Sequence, residues 1–304
     1  MQLSFHSPAL SDRDTVRQAA SGSKAMENDA AFASIWLLRE KYGTEIAFAG
    51  GMLLRRYHKG FRKDCYGFPL GGGELKAALC LCAQDAAERG IPLRLTLLTE
   101  AQCSLLDTLF PGKFRITPLP DYTEYLYLQE NLAALRGSKY HGKRNHIAQF
   151  WRSYPDAQIQ PLSAENVSFA LEIEYDWLNA RLEPAEPSVL AELAAIEDAC
   201  SNWDALGLHG LLLYAGEQPV GMTVVSEISP GVWDVHFEKV RPHYPHAWPV
   251  VANEMAKCLP HARYLNREED LGENGMRASK QSYRPDLLNL KFLAEYTAEV
   301  NDLC

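Results

Sequence analysis

The sequence lacks any long hydrophobic segment. None of its apolar runs approaches the roughly 18 residues that a helix needs to cross a bilayer. The N-terminal stretch MQLSFHSPALSDRDTVRQ has neither the basic start nor the apolar run of a secretory signal. Hydrophobic residues make up 47% and charged residues 23% of the 304 positions, which is typical of a globular protein. The sequence therefore predicts a cytoplasmic protein without a transmembrane segment.

The chain also lacks a surplus of basic residues. Its 30 lysines and arginines are outnumbered by 39 aspartates and glutamates, which gives a formal net charge of −9. General nucleic-acid-binding proteins usually carry a basic surface. This class is therefore disfavoured for the molecule as a whole, although a local basic patch is compatible with the composition.

The spacings of the cysteines match no zinc-binding pattern, and the number of cysteines is odd. They lie at positions 65, 80, 82, 103, 200, 258 and 304. Because Cys80 and Cys82 fall in an apolar, helix-like run, we expect buried free thiols in a reducing cytosol. No nucleophile–histidine–acid triad is recognisable either. We predict no metal site and no permanently bound cofactor.

Hydrophobic periodicity indicates a mixed α/β protein built from a repeated unit. The first half reads helix, hairpin, strand, helix, strand, helix and strands, and the second half repeats this order. Two tandem units joined near 129–138 explain the repetition, and we place them at 1–135 and 136–304. The length also allows one large domain with a single continuous sheet.

Three segments carry a resemblance to a known family. They are LRGSKYHGKRNHIAQF at 135–150, WDVHFEKV at 233–240 and YLNREEDLGENGMRASKQSYRP at 264–285. They resemble hallmark segments of an uncharacterised bacterial family related to the C-terminal domain of phosphatidylglycerol lysyltransferase and, more distantly, to Fem-type aminoacyltransferases. The resemblance covers nearly the whole chain. It implies two tandem acyl-CoA N-acyltransferase (GNAT) units and an acyl- or aminoacyltransferase ancestry.

One segment departs from the pattern of acetyl-CoA-dependent GNAT enzymes. Those enzymes usually follow the central strand with a glycine-rich loop, whose N–H groups hold the pyrophosphate. Here the loop at 241–249 contains Pro242, Pro245 and Pro249 and no glycine. Since each proline removes one N–H donor, acetyl-CoA is disfavoured as the donor. The side chain of Arg241 could supply positive charge instead.

The segment at 264–285 is the first candidate site, because ligands of open α/β folds usually bind where strands leave the sheet. Its predicted substrate-binding residues are Asn266, Arg267, Glu268, Lys280 and Tyr283. On the predicted helix Lys280 shares a stripe with Tyr283, where an ammonium group needs a carboxylate or a ligand. Glu268 or its neighbour Glu269 would bind an amine, and Lys280 an anionic acyl donor. The structural alternative is a salt-bridge cluster that ties the helix to the sheet.

The strand WDVHFEKV is the second candidate site. Strand alternation predicts that Asp234, His236 and Glu238 share one face. An acyltransferase needs a general base that takes the proton from its attacking amine, and Glu238 or His236 could serve. The alternative is a strand face that is paired with basic neighbours.

A local basic helix is the third candidate site. No acidic residue occurs between Asn131 and Pro155. Such a helix could hold a phosphate group of CoA, tRNA or a lipid head group. The predicted anion- or donor-binding residues are Lys139, Lys143 and Arg144, together with Arg241. The alternative is a solvated linker helix.

These sites favour a transferase that moves an acyl group to an amine or hydroxyl of a small-molecule or lipid acceptor. Without a recognisable nucleophile, direct attack is expected. The resemblance implies aminoacyl-tRNA as a possible donor, with acyl-CoA as the other. The alternative is a non-catalytic ligand-binding or regulatory protein on the same scaffold. An open channel lined by Glu238, Asn266, Lys280 and Tyr283 would favour the enzyme, and a filled, salt-bridged interface the binding protein.

Overall fold

The computed structural model describes residues 3–180, 186–244, 246–298 and 303–304. Pro245, one of the three prolines of the loop at 241–249, lies outside these residues. The described chain folds into two seven-stranded mixed sheets with helices on their faces. It does not form the single continuous sheet that its length also allowed.

The first half of the chain follows the predicted order of helices and strands, preceded by helix α1 (Arg13–Gly22), which was not predicted. They are α1 Arg13–Gly22, α2 Phe32–Leu37, α3 Arg39–Tyr42, β1 Thr44–Ala49, β2 Met52–Tyr57, β3 Cys65–Gly67, β4 Leu70–Gly71, α4 Leu75–Glu88, β5 Arg94–Leu98, α5 Glu100–Leu109, β6 Phe114–Pro118, β7 Glu124–Leu128 and α6 Gln129–Ala134. The hairpin of β1 and β2 turns at Gly50 and Gly51, which both have positive φ. Glycine adopts this conformation without the steric cost of a side chain.

The second half continues with a similar mixture of helices and strands. They are α7 His141–Ser153, β8 Gln158–Leu162, α8 Ser168–Asn179, α9 Pro187–Ser201, α10 Trp203–Leu206, β9 His209–Ala215, β10 Gln218–Ser229, β11 Val232–Val240, α11 Ala247–Cys258, β12 Tyr264–Asn266, α12 Asn274–Ser282, β13 Leu287–Asn289 and β14 Phe292–Tyr296. No described helix has the length and apolar character of a membrane span.

Each sheet contains a strand from the other half of the chain. The first sheet has the order β1-β2-β3-β5-β14-β6, with β4 beside β2, and the second has the order β13-β7-β12-β11-β10-β9-β8. Strand β14 thus lies between β5 and β6, and β7 lies between β12 and β13. A boundary between residues 135 and 136 therefore does not separate the two sheets along the chain.

Apolar clusters cover both faces of the second sheet. On one face, side chains of α1, α2, α8 and α9 pack against β10 and β11. On the other face, α7 and α11 pack against the same strands. A third cluster lies between the first sheet and helices α4 and α5. Polar side chains on the central strands of the second sheet are consequently buried, which is costly unless they find partners.

A β-bulge interrupts β11 at His236. The register between β10 and β11 shifts between Val224 and Val225, so that β11 has one extra residue there. An extra residue reverses the alternation of side chains beyond it. Asp234 therefore faces α2, whereas Glu238 points to the opposite face of the sheet. The prediction that Asp234, His236 and Glu238 share one face is wrong for Glu238.

Two of the seven cysteines are bonded to each other. Cys80 on α4 forms a disulfide with Cys304, which is 224 positions away. The expectation of free thiols is wrong for this pair. The other five cysteines are free, and they are Cys65, Cys82, Cys103, Cys200 and Cys258.

Candidate functional site

The two central parallel strands of the second sheet separate after a short pairing. β11 and β12 pair over only three positions, the last of which joins Asp234 to Asn266. β11 continues to Val240, whereas the chain leaves β12 after Asn266. Beyond this point Glu238 and Arg267 face each other, and Glu238 Oε1 accepts a hydrogen bond from Arg267 Nη2 at 2.6 Å. The sheet therefore has a gap beside the end of β11, the position where α/β folds commonly bind ligands.

Charged and aromatic side chains fill this gap, and we call them the gap cluster. They are Tyr127, Lys143, Glu238, Arg267 and Tyr283. The Arg267 guanidinium lies 4.7 Å from the centre of the Tyr283 ring, and Lys143 Nζ lies 3.7 Å from it. Five different parts of the chain contribute: β7, α7, β11, the loop after β12, and the end of α12. Four of the five residues belong to the predicted sites.

The gap cluster has two cations but one carboxylate. Arg267 Nη1 is buried and has no hydrogen-bond partner among the described residues. Burial, together with the nearby Arg267 guanidinium, lowers the pKa of Lys143 to about 8, although the Glu238 carboxylate opposes this shift. A free guanidinium N–H beside a second cation is complementary to a phosphate or carboxylate group. The cluster can therefore accept an anion.

A second polar group lies on the opposite face of β11, and we call it the interface cluster. It consists of Ser34, Ser226, Asp234, His236 and Glu268. Asp234 Oδ2 accepts a hydrogen bond from Ser34 Oγ at 2.9 Å. His236 Nε2 lies 2.8 Å from Ser226 Oγ, and His236 Nδ1 lies 3.4 Å from Asp234 Oδ2. The structure thus lines up a serine, a histidine and an aspartate, which the sequence did not reveal.

Electrostatics in the interface cluster disfavour charge. Burial raises the pKa of the Asp234 carboxyl, and the carboxylates of Glu124 and Glu269 raise it further. Burial and the neighbouring Asp234 likewise raise the pKa of Glu268. Burial lowers the pKa of His236 to about 3, so its imidazole is neutral at physiological pH. His236 is therefore a weak base in this environment.

Lys280 anchors the loop that follows β12. Its Nζ donates hydrogen bonds to the backbone carbonyls of Arg267 and Glu269. Burial lowers the pKa of Lys280, while the carboxylates of Glu268 and Glu269 oppose this effect. Helix α12 is thereby tied to the end of β12 through backbone carbonyls, whereas the structural alternative that we gave for the segment was a salt-bridge cluster.

Asn266 takes part in a buried network that joins the two sheets. Its Nδ2 donates hydrogen bonds to Glu124 Oε2 and to the backbone carbonyl of Met26, both at 2.9 Å. Glu124 Oε1 in turn lies 2.9 Å from Lys291 Nζ, and both side chains are only 1% exposed. Asn266 is thus held by the protein itself.

Three of the four predicted donor-binding residues lie outside the gap cluster. Lys139 is exposed beside the ring of the following tyrosine. Arg144 donates hydrogen bonds to two backbone carbonyls between α6 and α7. Arg241 forms ion pairs of 2.8 and 3.5 Å with acidic residues of α8. Only Lys143 joins the predicted substrate-binding residues in the gap.

Sequence reasoning missed Ser34, Ser226 and Tyr127. Ser226 pairs directly with Asp234 in the hairpin of β10 and β11, so the register of that hairpin could have indicated it. Ser34 lies 200 positions before its partner Asp234, and no local pattern signals the contact. Tyr127 reaches the gap because its strand is exchanged into the second sheet.

A cavity of about 320 Å³ opens beside the interface cluster. Its walls come from α1, α2, β9, β10 and β11. The residues that line it are Arg13, Arg17, Phe32, Ala33, Leu206, Gly207, His209, Ser226, Glu227 and Trp233. Because Ser226 contacts His236, the cavity leads from the surface towards the interface cluster.

Two mixed sheets with helices on their faces, in a fold that solved structures share, confirm the predicted fold class of two tandem GNAT-like units. Residues 22–295 match the family model of the phosphatidylglycerol lysyltransferase C-terminal domain. The chain therefore belongs to this family, and the resemblance noted in its sequence is confirmed.

Solved structures include close and distant relatives of this chain. A conserved protein of unknown function from Bacteroides thetaiotaomicron VPI-5482 is 30% identical with a TM-score of 0.93, over 97% of this chain and 100% of that chain. L-PGS from Bacillus licheniformis is 13% identical with a TM-score of 0.59, over 91% and 95% of the respective chains. FemX is 9% identical with a TM-score of 0.58, over 97% of each. The last two show the fold alone. A search of the curated proteins found no match.

Proposed function

We propose that this protein transfers an acyl or aminoacyl group from a phosphate-containing donor to an amine or hydroxyl group. The observation that carries the proposal is the gap cluster, in which Arg267 and Lys143 share one carboxylate, Glu238, where β11 and β12 separate. Membership of the phosphatidylglycerol lysyltransferase family supports the reaction class.

Donor binding would use the two cations. Arg267 Nη1, which has no hydrogen-bond partner in the part of the chain that the structure describes, can donate to a phosphate or carboxylate oxygen, and Lys143 supplies a second positive charge. Charge pairs are stronger in such a partly dehydrated site than in water. The ring of Tyr283 lies beside both cations, 3.7 Å from Lys143 Nζ and 4.7 Å from the Arg267 guanidinium.

Proton transfer would use Glu238. When Arg267 turns towards a bound donor, its hydrogen bond to Glu238 weakens, and the carboxylate can accept a proton from the attacking amine or hydroxyl. The acceptor atom then bonds to the acyl carbon, the bond from that carbon to the tRNA oxygen or CoA sulfur breaks, and Glu238 returns the proton to the leaving oxygen or sulfur. His236 is not part of this step, because the bulge places it on the opposite face of β11.

The choice of donor follows from charge and from the family. The name of the matching family describes lysyl transfer to phosphatidylglycerol, and we propose the same general chemistry here, with aminoacyl-tRNA preferred to acyl-CoA. Lys143 belongs to α7, the helix of the locally basic segment, which could follow a nucleic-acid backbone. The acceptor would be a lipid or a small molecule.

A second candidate function is a ligand-binding protein without catalysis. The specific observation in its favour is that side chains fill the gap. Glu238 is 10% and Arg267 12% exposed, and they are paired with each other. In this reading the cation pair binds an anionic ligand, and no acyl group is transferred.

Mass spectrometry of acyl transfer would test the proposal. The protein is incubated with aminoacyl-tRNA or acyl-CoA pools and with amines or phosphatidylglycerol vesicles, and donor and product are quantified. We expect turnover by the wild-type protein and a loss of about 100-fold or more in Glu238→Gln. Lys257→Ala removes an exposed lysine of α11 outside the proposed sites and should retain activity. If donors bind but none is consumed, the transferase proposal is wrong and the binding function is supported.

A further inference from the structure

The interface cluster brings three potential metal ligands together. The ligand atoms of Asp234, His236 and Glu268 lie within 4.8 Å of one another. Asp234 is fully buried and His236 is 9% exposed. Glu268 has a φ of +56°, an uncommon conformation for a residue with a side chain. The backbone is therefore held in an unusual state where it presents the Glu268 carboxylate to the cluster.

Hydrogen bonds of the cluster leave two ligand positions without a partner. Asp234 Oδ1 is buried and has no hydrogen-bond partner in the described part of the chain. Within the same residues, no side chain forms a hydrogen bond or an ion pair with the Glu268 carboxylate. Burying an unpaired carboxylate oxygen is costly. A cation between these carboxylates would remove the cost.

Ser226 can fix the imidazole of His236 in a ligating form. If Nε2–H donates to Ser226 Oγ at 2.8 Å, the lone pair of Nδ1 points towards Asp234 Oδ2 at 3.4 Å. Two acceptor atoms then face each other without a hydrogen between them. Two ligand atoms at a tetrahedral Zn²⁺ with bonds of about 2.1 Å are about 3.4 Å apart. Ser34 donates a hydrogen bond to Asp234 Oδ2 and would fix the orientation of this carboxylate, as Ser226 fixes the imidazole.

The charges near the cluster also favour an added cation. Asp234, Glu268 and Glu269 lie close together. The ammonium group of Lys280 lies nearby and interacts electrostatically with Asp234 and Glu268. Its Nζ donates to backbone carbonyls and forms no ion pair with a described carboxylate. The carboxylates are consequently not neutralised by direct contact.

We propose that Asp234, His236 and Glu268 bind one divalent transition-metal ion, with Zn²⁺ as the preferred ion. One imidazole and two carboxylates form a set of nitrogen and oxygen ligands that zinc accepts, with a further position open to water or a ligand. The cavity of about 320 Å³ that reaches Ser226 offers a route from solvent. This site lies on the face of β11 opposite to the gap cluster and is independent of the proposed transfer reaction.

Metal binding by the untagged 304-residue chain tests the proposal. After chelator treatment and dialysis, the protein is titrated with Zn²⁺ by calorimetry, and metal content is measured by mass spectrometry. Co²⁺ is then bound in place of Zn²⁺ and its absorption spectrum recorded. We expect one ion per chain and no thiolate charge-transfer band, since the ligands contain no sulfur. We also expect the ion to raise the melting temperature, because it binds the folded state.

Matched variants separate this site from adventitious binding. Asp234→Asn, His236→Gln and Glu268→Gln should each weaken binding by at least about 100-fold, more than the loss of an outer-shell partner. His209→Gln and Glu227→Gln change the same residue types in the cavity wall and should bind like the wild type. Circular dichroism checks that each variant is folded. If the variants of the buried residues Asp234 and His236 unfold, Glu268→Gln still tests the site, because Glu268 is partly exposed. Absence of tight binding, unchanged binding in Glu268→Gln, or a thiolate band would overturn the proposal.

Discussion

Neighbouring ionisable residues of β11 experience opposite electrostatic surroundings. Glu238 faces two cations and aromatic rings, whereas Asp234 faces serines and other carboxylates. The pKa of a buried carboxyl is set by the balance of desolvation and nearby charge. These two residues, four positions apart on one strand, therefore suit the different roles that we propose for them, a general base at the gap cluster and a metal ligand at the interface cluster.

The pKa of Lys143 makes anion binding depend on pH. Its value is about 8 in the folded protein, against an ordinary value of 10.5. We expect the affinity for sulfate to be constant below pH 8 and to fall above it, as the ammonium loses its proton. Calorimetric titration on both sides of pH 8 checks this, and Lys143→Met should bind weakly with no such fall. An unchanged pH profile in Lys143→Met would contradict the role of this lysine.

The same lysine also affects stability. A lowered pKa disfavours the protonated form in the folded state, so the cost is full below pH 8 and disappears as the pH rises towards 10.5. Lys143→Met removes this cost. Relative to the wild type, the variant should therefore gain more stability at pH 7 than at pH 10 in urea unfolding.

Replacement of Glu238 should separate binding from chemistry. Glu238→Gln removes the carboxylate that attracts both Arg267 and Lys143. An added anion then no longer competes with this carboxylate for the two cations. We expect sulfate to bind several-fold more tightly while acyl transfer falls by about 100-fold or more. Calorimetry and the transfer assay measure the two effects. Equal losses of binding and transfer would instead indicate that Glu238 only maintains the fold of the site.

At the level of elements, one bulge and one helix anchor create the site. The bulge at His236 turns Glu238 into the gap, and Lys280 on α12 holds the loop that carries Arg267. Without that anchor, Arg267 would have no fixed position relative to Glu238. The helix acts on the gap cluster through the loop backbone and through Tyr283 at its end.

Loss of the Lys280 ammonium should loosen the loop after β12. Lys280→Met keeps most of the apolar stem of the side chain but loses its hydrogen bonds to two carbonyls. We expect a destabilisation of about 2–4 kcal/mol, since bonds to charged groups contribute about 1.5–3 kcal/mol each and are not additive. Amide exchange of residues 267–270 should accelerate. Gln281→Ala on the exposed side of α12 should leave both quantities unchanged, and protected amides in Lys280→Met would refute the anchoring role.

For the molecule as a whole, strand exchange makes the two sheets interdependent. β7 and β14 each leave their own half of the chain, and the buried pair of Glu124 on β7 and Lys291 before β14 connects them. Neither half contains all the strands of one sheet. The two halves are therefore expected to unfold as one cooperative unit.

Breaking this pair should destabilise both sheets together. Lys291→Met leaves Glu124 buried without its cation, which costs about 3–5 kcal/mol. Unfolding by urea, followed by tryptophan fluorescence and by circular dichroism, should give coincident transitions at lower urea. The double variant Glu124→Gln/Lys291→Met should recover part of the loss. Lys257→Met breaks an exposed pair and should cost less than about 1 kcal/mol. Separate transitions for the two probes would contradict interdependence.

Local sequence patterns correctly predicted several helices and hairpins of the fold. The order of elements included the first hairpin, and the motif at 264–285 indicated both a strand exit and helix α12. The same motif contained Arg267, Lys280 and Tyr283, which lie together at the loop after β12. The disulfide of Cys80 with Cys304 had no local signal, since its partners are 224 positions apart.

Side-chain direction near the bulge could not be predicted from alternation. Simple alternation placed Glu238 beside Asp234, but the register with β10 decides otherwise. The contacts of the two arginines were likewise not predictable. Arg144 bonds to backbone carbonyls before α7, and Arg241 pairs with acidic residues of α8. Spacing within one segment carries no information about these partners.

The sequence by itself determined the fold class, the family and the segments that carry polar residues, because hydrophobic periodicity and motif spacing are local properties of the chain. Tertiary structure alone decided which of these residues meet. Strand exchange brought Tyr127 to the gap, the bulge placed Glu238 there, and the packing of α2 put Ser34 on Asp234. These contacts join positions that are distant in sequence, and they form because the packing of apolar faces brings whole strands and helices together.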